Sequence, residues 1–360
     1  MSLSQDSFYM SLAIQLAKNG RYTTDPNPRV GCVLVRDGHV ISEGWHFKAG
    51  LGHAEVEALK NIQDAIGATA YVTLEPCSHQ GKTPPCCDAL IKAGISRVIV
   101  AMQDPNPLVS GRGLEKLKAA GIEVSCGLLQ EDALALNRGF IKRMIAKRPF
   151  VRSKLAMSLD GRTAMSSGES KWITSTEARE DVHRLRAESS AILTGINTVL
   201  ADDPALNARV AWDTVQPIKV VLDSNLNMPL TARMVKLHGR SLILTCSQDE
   251  QKKHDLHSVG FEVYQFSTEN GRLDLPAVMA FLAEQQINEL LVEAGSVLNG
   301  ALLTENLLDE LIVYMAPCIL GDQGRGLFSV PGLQAMTDKK NLMLRDVRQV
   351  GPDLKLTLTP

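Results

Sequence analysis

The chain has 360 residues, of which 44% are hydrophobic and 22% charged, as expected for a globular protein with well-formed cores. A net charge of −2 and an aromatic content of 4% argue against a nucleic-acid-binding protein, which needs a basic surface and stacking side chains. The composition therefore favours a small-molecule substrate.

Seven cysteines are scattered along the chain, an odd number that does not fit a disulfide-stapled secreted domain. Residues 1–9 are polar and lack the basic segment and apolar run of a signal peptide. No apolar run approaches the roughly 18 residues of a membrane span. These features predict a soluble cytoplasmic protein, and the length favours two domains.

The first 50 residues predict a helix followed by a β-hairpin. Apolar residues recur at helical spacing over 6–19, and Gly20 supplies a helix end. Strands over 30–35 and 40–45 are joined by Asp37-Gly38, a turn typical of two-residue hairpins. Asn27 and His46 flank this hairpin.

A motif with zinc-ligand chemistry begins at His53-Ala54-Glu55 and continues at Pro76-Cys77 and Pro85-Cys86. One histidine and two cysteines suit a catalytic zinc site, which leaves its fourth position to water. Glu55 belongs to no such ligand set but can move protons beside the metal. His-x-Glu followed by Pro-Cys is typical of zinc deaminases, in which zinc hydroxide attacks the ring carbon that bears an amine.

The cysteine spacing leaves alternatives open. Eight residues separate Cys77 from Cys86, instead of the two in the general deaminase motif, and Cys87 follows directly as a rival ligand. A closed structural zinc site needs a fourth protein ligand, for which His79 and Cys87 are the candidates. Two buried thiols and a surface histidine without any metal form the remaining alternative.

Helices and strands alternate around this motif. Helices are predicted over 53–61, 86–93 and 114–120, and strands over 70–74, 97–101 and 122–125. This alternation predicts an α/β layered domain. Asp104 and Asn106 follow a strand at its carboxyl end, where they are either turn formers or substrate contacts.

The second half continues the α/β pattern. A helix over 130–147 ends before Pro149, which places the domain boundary near residue 146. Strands are predicted over 150–157, 191–194, 218–223, 241–245, 261–264 and 289–293, helices over 175–187 and 275–284, and antiparallel strands over 310–316, 345–350 and 354–358. A helix opening at Gly295 has free amides that suit a cofactor diphosphate. These residues alone do not identify a reaction.

Five segments of the first half carry a resemblance to a known family: Pro26-Asn27-Pro28, His53-Ala54-Glu55, Thr73–His79, Gly81–Cys86 and Asp104–Pro107. They are similar to the deaminase half of the bifunctional riboflavin-biosynthesis deaminase/reductase family, which shares the long cysteine spacing. The resemblance implies a cytidine-deaminase-like three-layer fold and a pyrimidine ribosyl phosphate substrate. It implies zinc held by His53, Cys77 and Cys86, a proton shuttle at Glu55, and substrate contacts at Asn27, His46, Lys82, Asp104 and Asn106.

The second half resembles the reductase half of the same family through Lys154-Leu155-Ala156, Ser158–Gly161, Ser167–Ser170, Asp202–Pro204 and Val292–Gly295. This resemblance implies a dihydrofolate-reductase-like α/β fold and NADPH as cofactor. The implied cofactor contacts are Ala156, Trp172, Thr198, Asp202, Ser224, Gly295, Ser296, Val297, Leu298, Asn299, Gly300 and Ala301. The implied substrate contacts are Ser170, Arg186, Leu206, Arg209 and Glu293.

Charged residues in the second half support a reductase site there. Arg186 and Arg209 can pair a phosphate bidentately. Lys154 lies within an apolar strand, where lysine is rarely buried without a partner, and Glu293 ends another buried strand. We hypothesise that Lys154 and Glu293 form an ion pair beside the reacting carbon and act in catalysis.

The sequence therefore predicts a two-step enzyme, with a zinc deaminase over 1–146 and an NADPH-dependent reductase over 147–360. One alternative keeps deamination alone and gives the second domain a role in binding or assembly. Another is a deaminase of nucleic-acid bases, against which the charge and the few aromatic residues argue. The family resemblance also implies a homo-oligomer.

Overall fold

The structure, a computed structural model, describes residues 3–60, 62–79, 84–107, 109–268 and 270–360. Residue contacts divide the chain into two units, Met1–Lys147 and Arg148–Pro360. Among the described residues, no helix combines the length and apolar character needed to cross a membrane.

The first unit contains one mixed sheet and helices on both sides of it. Its helices are α1 (Leu3–Lys18), α2 (Ala54–Lys60), α3 (Cys86–Lys92), α4 (Arg112–Ala119), α5 (Gln130–Leu136) and α6 (Arg138–Ala146). Its strands are β1 (Gly31–Arg36), β2 (His39–Trp45), β3 (Thr69–Val72), β4 (Arg97–Val100) and β5 (Glu123–Cys126). The strand order is β2-β1-β3-β4-β5, in which β1 runs antiparallel to β2 and β3, while β3, β4 and β5 are parallel.

Two apolar cores cover the two faces of this sheet. On one face, α2, α3 and α4 bury residues such as Ala58, Leu90 and Leu117 against the strands. On the other face, α1 and α5 contribute residues such as Met10 and Ala133. Helix, sheet and helix form the three-layer α/β architecture that the sequence predicted, and the predicted fold class is confirmed.

The prediction of one continuous helix over 130–147 is wrong. Residues 130–147 form two helices, α5 and α6, which meet at Asn137. The Asn137 amide group donates to the Arg29 carbonyl at 2.9 Å and accepts from the Arg29 amide at 2.8 Å. A side chain that pairs with the backbone more than 100 residues away interrupts a helix that apolar spacing alone makes continuous.

The second unit is built on a nine-stranded sheet. Its principal strands are β6 (Phe150–Ser158), β8 (Ala191–Gly195), β9 (Ile218–Leu222), β10 (Ser241–Thr245), β11 (Glu262–Gln265), β12 (Glu289–Val292), β13 (Glu310–Ala316), β15 (Met343–Val350) and β16 (Asp353–Thr359); β7 (Arg162–Ala164) and β14 (Arg325–Gly326) form a small ribbon. Its helices are α7 (Thr176–Glu188), α8 (Ile196–Asp202), α9 (Glu250–Ser258), α10 (Leu275–Glu284) and α11 (Ser296–Thr304).

The order of the large sheet is β11-β10-β9-β8-β12-β6-β13-β16-β15, and its first seven strands are parallel. The antiparallel strands β16 and β15 close one side, as the sequence predicted. Because parallel strands end at the same edge, the residues after β6, β8, β9 and β12 converge there. This carboxyl edge holds most of the residues that the sequence assigned to reduction.

Helix α9 and the β7–β14 ribbon were not predicted. Helix α9 reads Glu-Gln-Lys-Lys-His-Asp-Leu-His-Ser and buries little more than Lys253 and Leu256. Its N-cap, Asp249, accepts a hydrogen bond from the Lys252 amide at 2.9 Å. A helix with so few apolar positions has only a weak periodic pattern in the sequence. The N-cap residue Asp249 was the available signal.

Candidate active sites

The predicted zinc ligands of the first unit converge. His53 lies immediately before α2, Cys77 follows β3, and Cys86 is the first residue of α3. The His53 Nδ1 atom is 3.2 Å from the Cys86 sulfur and 3.6 Å from the Cys77 sulfur. The three ligand atoms all lie within 4.8 Å of one another.

This donor set fits zinc. Tetrahedral zinc with bonds of about 2.1 Å to nitrogen and 2.3 Å to sulfur places such ligand atoms about 3.6 Å apart. A hydrogen bond from Cys86 lowers the pKa of Cys77 to about 4, while the pKa of Cys86 is raised. Both groups would hold a zinc ion as thiolates, which are the metal-binding form.

Cys87 points away from this cluster. Its sulfur donates to the Pro76 carbonyl at 3.2 Å and lies 3.5 Å from the Gly113 carbonyl, and the residue is fully buried. Residues adjacent on a helix point about 100° apart, so only one of Cys86 and Cys87 reaches the His53 ring. The geometry therefore favours Cys86, the ligand that the family resemblance implied.

Single cysteine variants separate the two thiols. We expect Cys86→Ala to lose most of its zinc and its deaminase activity, because two ligands remain. Cys87→Ala keeps all three ligand atoms, so its zinc content per chain stays near that of the unaltered protein. Atomic absorption on both purified variants measures the difference. Zinc lost from Cys87→Ala and retained in Cys86→Ala would contradict this ligand assignment.

Glu55 lies beside the ligands without joining them. It is in the first turn of α2 and only 3% exposed. Burial raises the pKa of its carboxyl to about 7, although the neighbouring His53 opposes that rise. A carboxyl that titrates near neutral pH can both accept and return a proton during turnover.

Asn27 and His46 border the same cluster. The His46 ring packs edge-on against the His53 ring, with centroids 5.3 Å apart. Its Nε2 atom is 3.0 Å from the Asn27 amide nitrogen, and its Nδ1 atom is 2.9 Å from the Gly52 carbonyl. Burial lowers the pKa of His46, so the ring is neutral, donates to Gly52 and accepts from Asn27.

Asp104 and Asn106 occupy the loop after β4. The Asp104 carboxylate accepts from the Asn106 amide at 2.8 Å. Burial raises the pKa of Asp104 to about 6, and the nearby charges of Glu75 and Cys77 add to the rise. The Asp104 amide donates to the carboxylate of Glu75, two residues before Cys77, at 3.1 Å, which connects this loop to the segment that carries the ligand. The predicted substrate contact Lys82 lies outside the described residues.

Sequence reasoning missed the role of Glu75. This carboxylate is 4% exposed and accepts hydrogen bonds from the backbone amides of Asp104, Gly111, Gly113 and Leu114. Its place between β3 and Cys77 was the available signal, since acidic residues are almost never fully buried unless they are paired.

In the second unit, Glu293 pairs with Arg186 rather than with Lys154. The Arg186 Nε and Nη2 atoms donate to the two Glu293 oxygens at 2.6 and 2.8 Å. Among the residues that the structure describes, no acidic side chain forms an ion pair with Lys154 within 4.0 Å, and the Lys154 ammonium lies 5.9 Å from the centre of the Tyr314 ring. The predicted Lys154–Glu293 ion pair is wrong, because a planar guanidinium from α7 matches the carboxylate bidentately.

Lys154 nevertheless interacts electrostatically with Arg186 and Glu293. Burial lowers its pKa and the nearby Arg186 adds to that effect, whereas Glu293 opposes it. The pKa of Glu293 is lowered, because Arg186 and Lys154 outweigh the cost of burial. The Glu293 carboxyl is therefore in its charged form.

Two of the other predicted substrate contacts, Leu206 and Arg209, lie along the segment after α8. Arg186 Nη1 donates to the Asn207 carbonyl at 3.2 Å, which ties α7 to the chain between Leu206 and Arg209. Leu206 is buried and has a positive φ of 43°, an unusual backbone conformation for leucine. Ser170 is half-buried in the loop before α7.

His183 joins this group and was not predicted. Its Nδ1 atom accepts from the Arg209 amide at 3.2 Å. Burial and the neighbouring Arg186 and Arg209 lower its pKa to about 4, so the ring is neutral. The available signal was its place three residues before Arg186 on α7, which puts both side chains on one helix face.

The predicted cofactor contacts lie at or near the carboxyl edge. Ala156 is near the end of β6, Thr198 and Asp202 are in α8, and Ser224 follows β9. Lys171 pairs with Asp202 at 3.2 Å, which places the neighbouring Trp172 near α8. The Trp172 ring is 71% exposed, with the Arg179 guanidinium 4.5 Å from its centre.

The run from Gly295 to Ala301 forms the start of α11, but its members differ. Val297 is 70% exposed, whereas Asn299 and Gly300 are buried. The Asn299 side chain donates to the carbonyls of Ala294 and Gly295 at 2.8 and 3.0 Å and accepts from Ser153. The Asn299 side chain thus fixes the backbone of the loop before α11 through hydrogen bonds inside the protein.

Comparison with known proteins places the chain in a family. Residues 3–102 match the cytidine and deoxycytidylate deaminase zinc-binding region, and residues 149–356 match the RibD C-terminal domain. The chain is 50% identical to the riboflavin biosynthesis protein RibD of Escherichia coli, over 98% of this chain and 99% of that protein. It is 48% identical to the Haemophilus influenzae protein of the same name, over 99% and 98%.

Solved structures agree with these sequence matches. The structure of Acinetobacter baumannii RibD superposes with a TM-score of 0.94 at 46% identity, and covers 100% of this chain and 99% of that one. A diaminohydroxyphosphoribosylaminopyrimidine deaminase/5-amino-6-(5-phosphoribosylamino)uracil reductase from Thermotoga maritima superposes with a TM-score of 0.86 at 34% identity, and covers 99% of both chains.

Proposed function

The chain belongs to the RibD family of bifunctional riboflavin-biosynthesis enzymes, and we propose that each of its two units carries one of the two reactions. The protein deaminates a diaminopyrimidinone ribosylamino phosphate with zinc and reduces the ribosyl group to ribityl with NADPH. The reductase-domain match over 149–356 favours both activities over deamination alone. We assign deamination to residues 1–146 and reduction to residues 147–360.

The convergence of His53, Cys77 and Cys86 beside a buried Glu55 carries the deaminase proposal. The three ligands hold zinc, which when bound supplies a Lewis acid that makes water nucleophilic near neutral pH. Glu55 takes the proton of the attacking water and returns it to the departing amine, as its pKa near 7 allows.

We assign substrate recognition in the first unit to Asn27, His46, Lys82, Asp104 and Asn106. Hydrogen bonds to Gly52 and Asn27 fix the neutral His46 ring, so the ring forms a rigid side of the site next to His53. Asp104 carries a half-buried carboxyl suited to an amine or amide hydrogen on the pyrimidine.

In the second unit, the Arg186–Glu293 pair and Lys154 carry the proposal for reduction. NADPH when bound supplies a hydride, and the ring oxygen of the opening ribose then needs a proton. Lys154, whose lowered pKa makes it a readier acid, gives that proton, and Glu293 orients the ribose hydroxyls. We assign Ser170, Leu206 and Arg209, with Arg186, to the substrate, and Ala156, Trp172, Thr198, Asp202, Ser224 and 295–301 to the cofactor.

Lys154→Met tests this role. We expect reduction to fall roughly 10²- to 10⁴-fold, the range typical of a lost general acid. The free energy of unfolding should change little, since the lost attraction to Glu293 offsets the gain from replacing a partly buried ammonium by an apolar group of similar length. Deamination by the same preparation serves as the control. Unchanged NADPH oxidation in this variant contradicts a catalytic role for Lys154.

We also propose that the protein is a homo-oligomer that associates through its C-terminal strands. Strand β15 is the edge of the nine-stranded sheet, and its exposed side chains include Met343, Leu344 and Val347. Exposed edge strands with apolar side chains pair readily with other chains. Light scattering should give a multiple of the 39.2 kDa chain mass, and Leu344→Glu should shift it towards one chain. A monomer at all concentrations contradicts association.

A cytoplasmic location and a small-molecule substrate complete the proposal. All seven cysteines are free thiols, which suits a reducing compartment. The net charge of −2 offers no broad attraction for nucleic acid. Cell fractionation tests the location, and retardation of an oligonucleotide at physiological salt contradicts the absence of nucleic-acid binding.

A further inference from the structure

A single buried carboxylate, that of Glu75, accepts hydrogen bonds from the backbone amides of one residue after β4 and of three residues at the start of α4. The Glu75 Oε2 atom accepts from the Asp104 amide at 3.1 Å and from the Gly111 amide at 3.0 Å. Its Oε1 atom accepts from the Gly113 amide at 2.9 Å and from the Leu114 amide at 3.4 Å. Four backbone amides spread over 104–114 therefore share one side chain as their acceptor.

The same side chain links this segment to the metal-ligand cluster. Glu75 lies two residues before Cys77, and a Cβ atom on Gly113 would approach the Pro76 carbonyl to 2.1 Å. The start of α4 thus packs directly on the backbone that presents Cys77. Because Asp104 also accepts from the Asn106 amide, both proposed substrate contacts move with the backbone that Glu75 holds.

We propose that Glu75 is a positioning residue for deamination, which sets Asp104 and Asn106 against the substrate by fixing the backbone at Asp104 and at the start of α4. This inference rests on the substrate role proposed above for Asp104 and Asn106. Glu75 needs no contact with the substrate or the metal, since its acceptor atoms are engaged by four amides.

The test is Glu75→Gln in the full-length, zinc-loaded protein. Glutamine keeps one acceptor oxygen but turns a donor NH2 group towards two amide donors. We expect the KM for deamination to rise roughly ten- to a hundredfold, as for lost hydrogen bonds to a charged group. The kcat should change less than the KM, and zinc content and reduction of the deaminated substrate should be unchanged. Glu115→Gln, an exposed change on α4, is the matched control.

Two further variants make the result decisive. Glu75→Asp retains a carboxylate and should recover part of the lost KM. Glu75→Gln combined with Asp104→Asn should raise the KM no further than Asp104→Asn alone, if Glu75 acts through Asp104. Zinc loss, or equal falls in kcat for Gln and Asp, would overturn the positioning role and assign Glu75 to the scaffold of the metal site.

Failure of this inference and failure of the proposed function give different results. A normal KM in Asp104→Asn contradicts the substrate role of Asp104, on which the inference rests. A raised KM in Asp104→Asn with a normal KM in Glu75→Gln contradicts only the positioning role of Glu75.

Discussion

Glu55→Gln is expected to lower the deamination rate by roughly 10²- to 10⁴-fold while the protein keeps its zinc. Glutamine matches glutamate in shape, so the packing around α2 is retained, but it cannot accept and return a proton. The ligand atoms of His53, Cys77 and Cys86 are untouched by the change. Ammonia release measures the first effect, and metal analysis of the same sample measures the second.

The reductase reaction is the internal control for this variant. Glu55→Gln should oxidise NADPH at the normal rate when it is supplied with the deaminated intermediate, because Glu55 belongs to the other unit. Loss of zinc would make Glu55 a ligand rather than a proton carrier. Unimpaired ammonia release would require another base at the site.

Glu293→Gln is expected to abolish most reduction and to destabilise the second unit. Both partners of the Arg186–Glu293 pair are only 15% exposed. Removing one charge leaves the guanidinium buried without its partner, which costs about 3–5 kcal/mol. Since the folded-state pKa of Glu293 is lowered from 4.5, its contribution is fully present at neutral pH and is lost as the pH falls through the folded-state value.

A matched control exists in the same unit. Glu262 pairs with Arg240 through two 2.8 Å hydrogen bonds, but these side chains are 38% and 44% exposed. Glu262→Gln should therefore cost no more than about 1 kcal/mol and spare reduction. Denaturant midpoints for loss of each activity measure both variants. Equal loss of deamination and reduction in Glu293→Gln would point to general misfolding and contradict a local role.

The candidate zinc ligands could be predicted from the sequence because short motifs contain the histidine and cysteines that zinc prefers. The choice between Cys86 and Cys87 was less direct, since spacing alone admitted both residues. It depends on which way each side chain points at the start of α3, where Cys87 turns to the Pro76 carbonyl. Helix geometry therefore distinguishes two thiols that the chain places side by side.

The partners of buried charges were harder to predict. Glu293 and Lys154 were both recognised as unusual, but Arg186, more than 100 residues away along the chain, holds the Glu293 carboxylate. The sequence showed Glu75 only as part of a motif. Its hydrogen-bond partners could not be predicted, because the amides that donate to it lie 29 to 39 residues away. Such pairings depend on tertiary packing, which local patterns do not contain.

The order of the two reactions is tested by supplying the zinc-loaded protein with the diaminopyrimidinone ribosylamino phosphate and NADPH and measuring ammonia and NADPH together. We predict that ammonia appears first and that NADPH is then consumed in equal amount, because reduction follows deamination. In Glu55→Gln, both signals should disappear together and NADPH consumption should return when deaminated substrate is added. NADPH consumption without prior ammonia release, or ammonia release that is never followed by NADPH consumption, would contradict two catalytic units acting in this order.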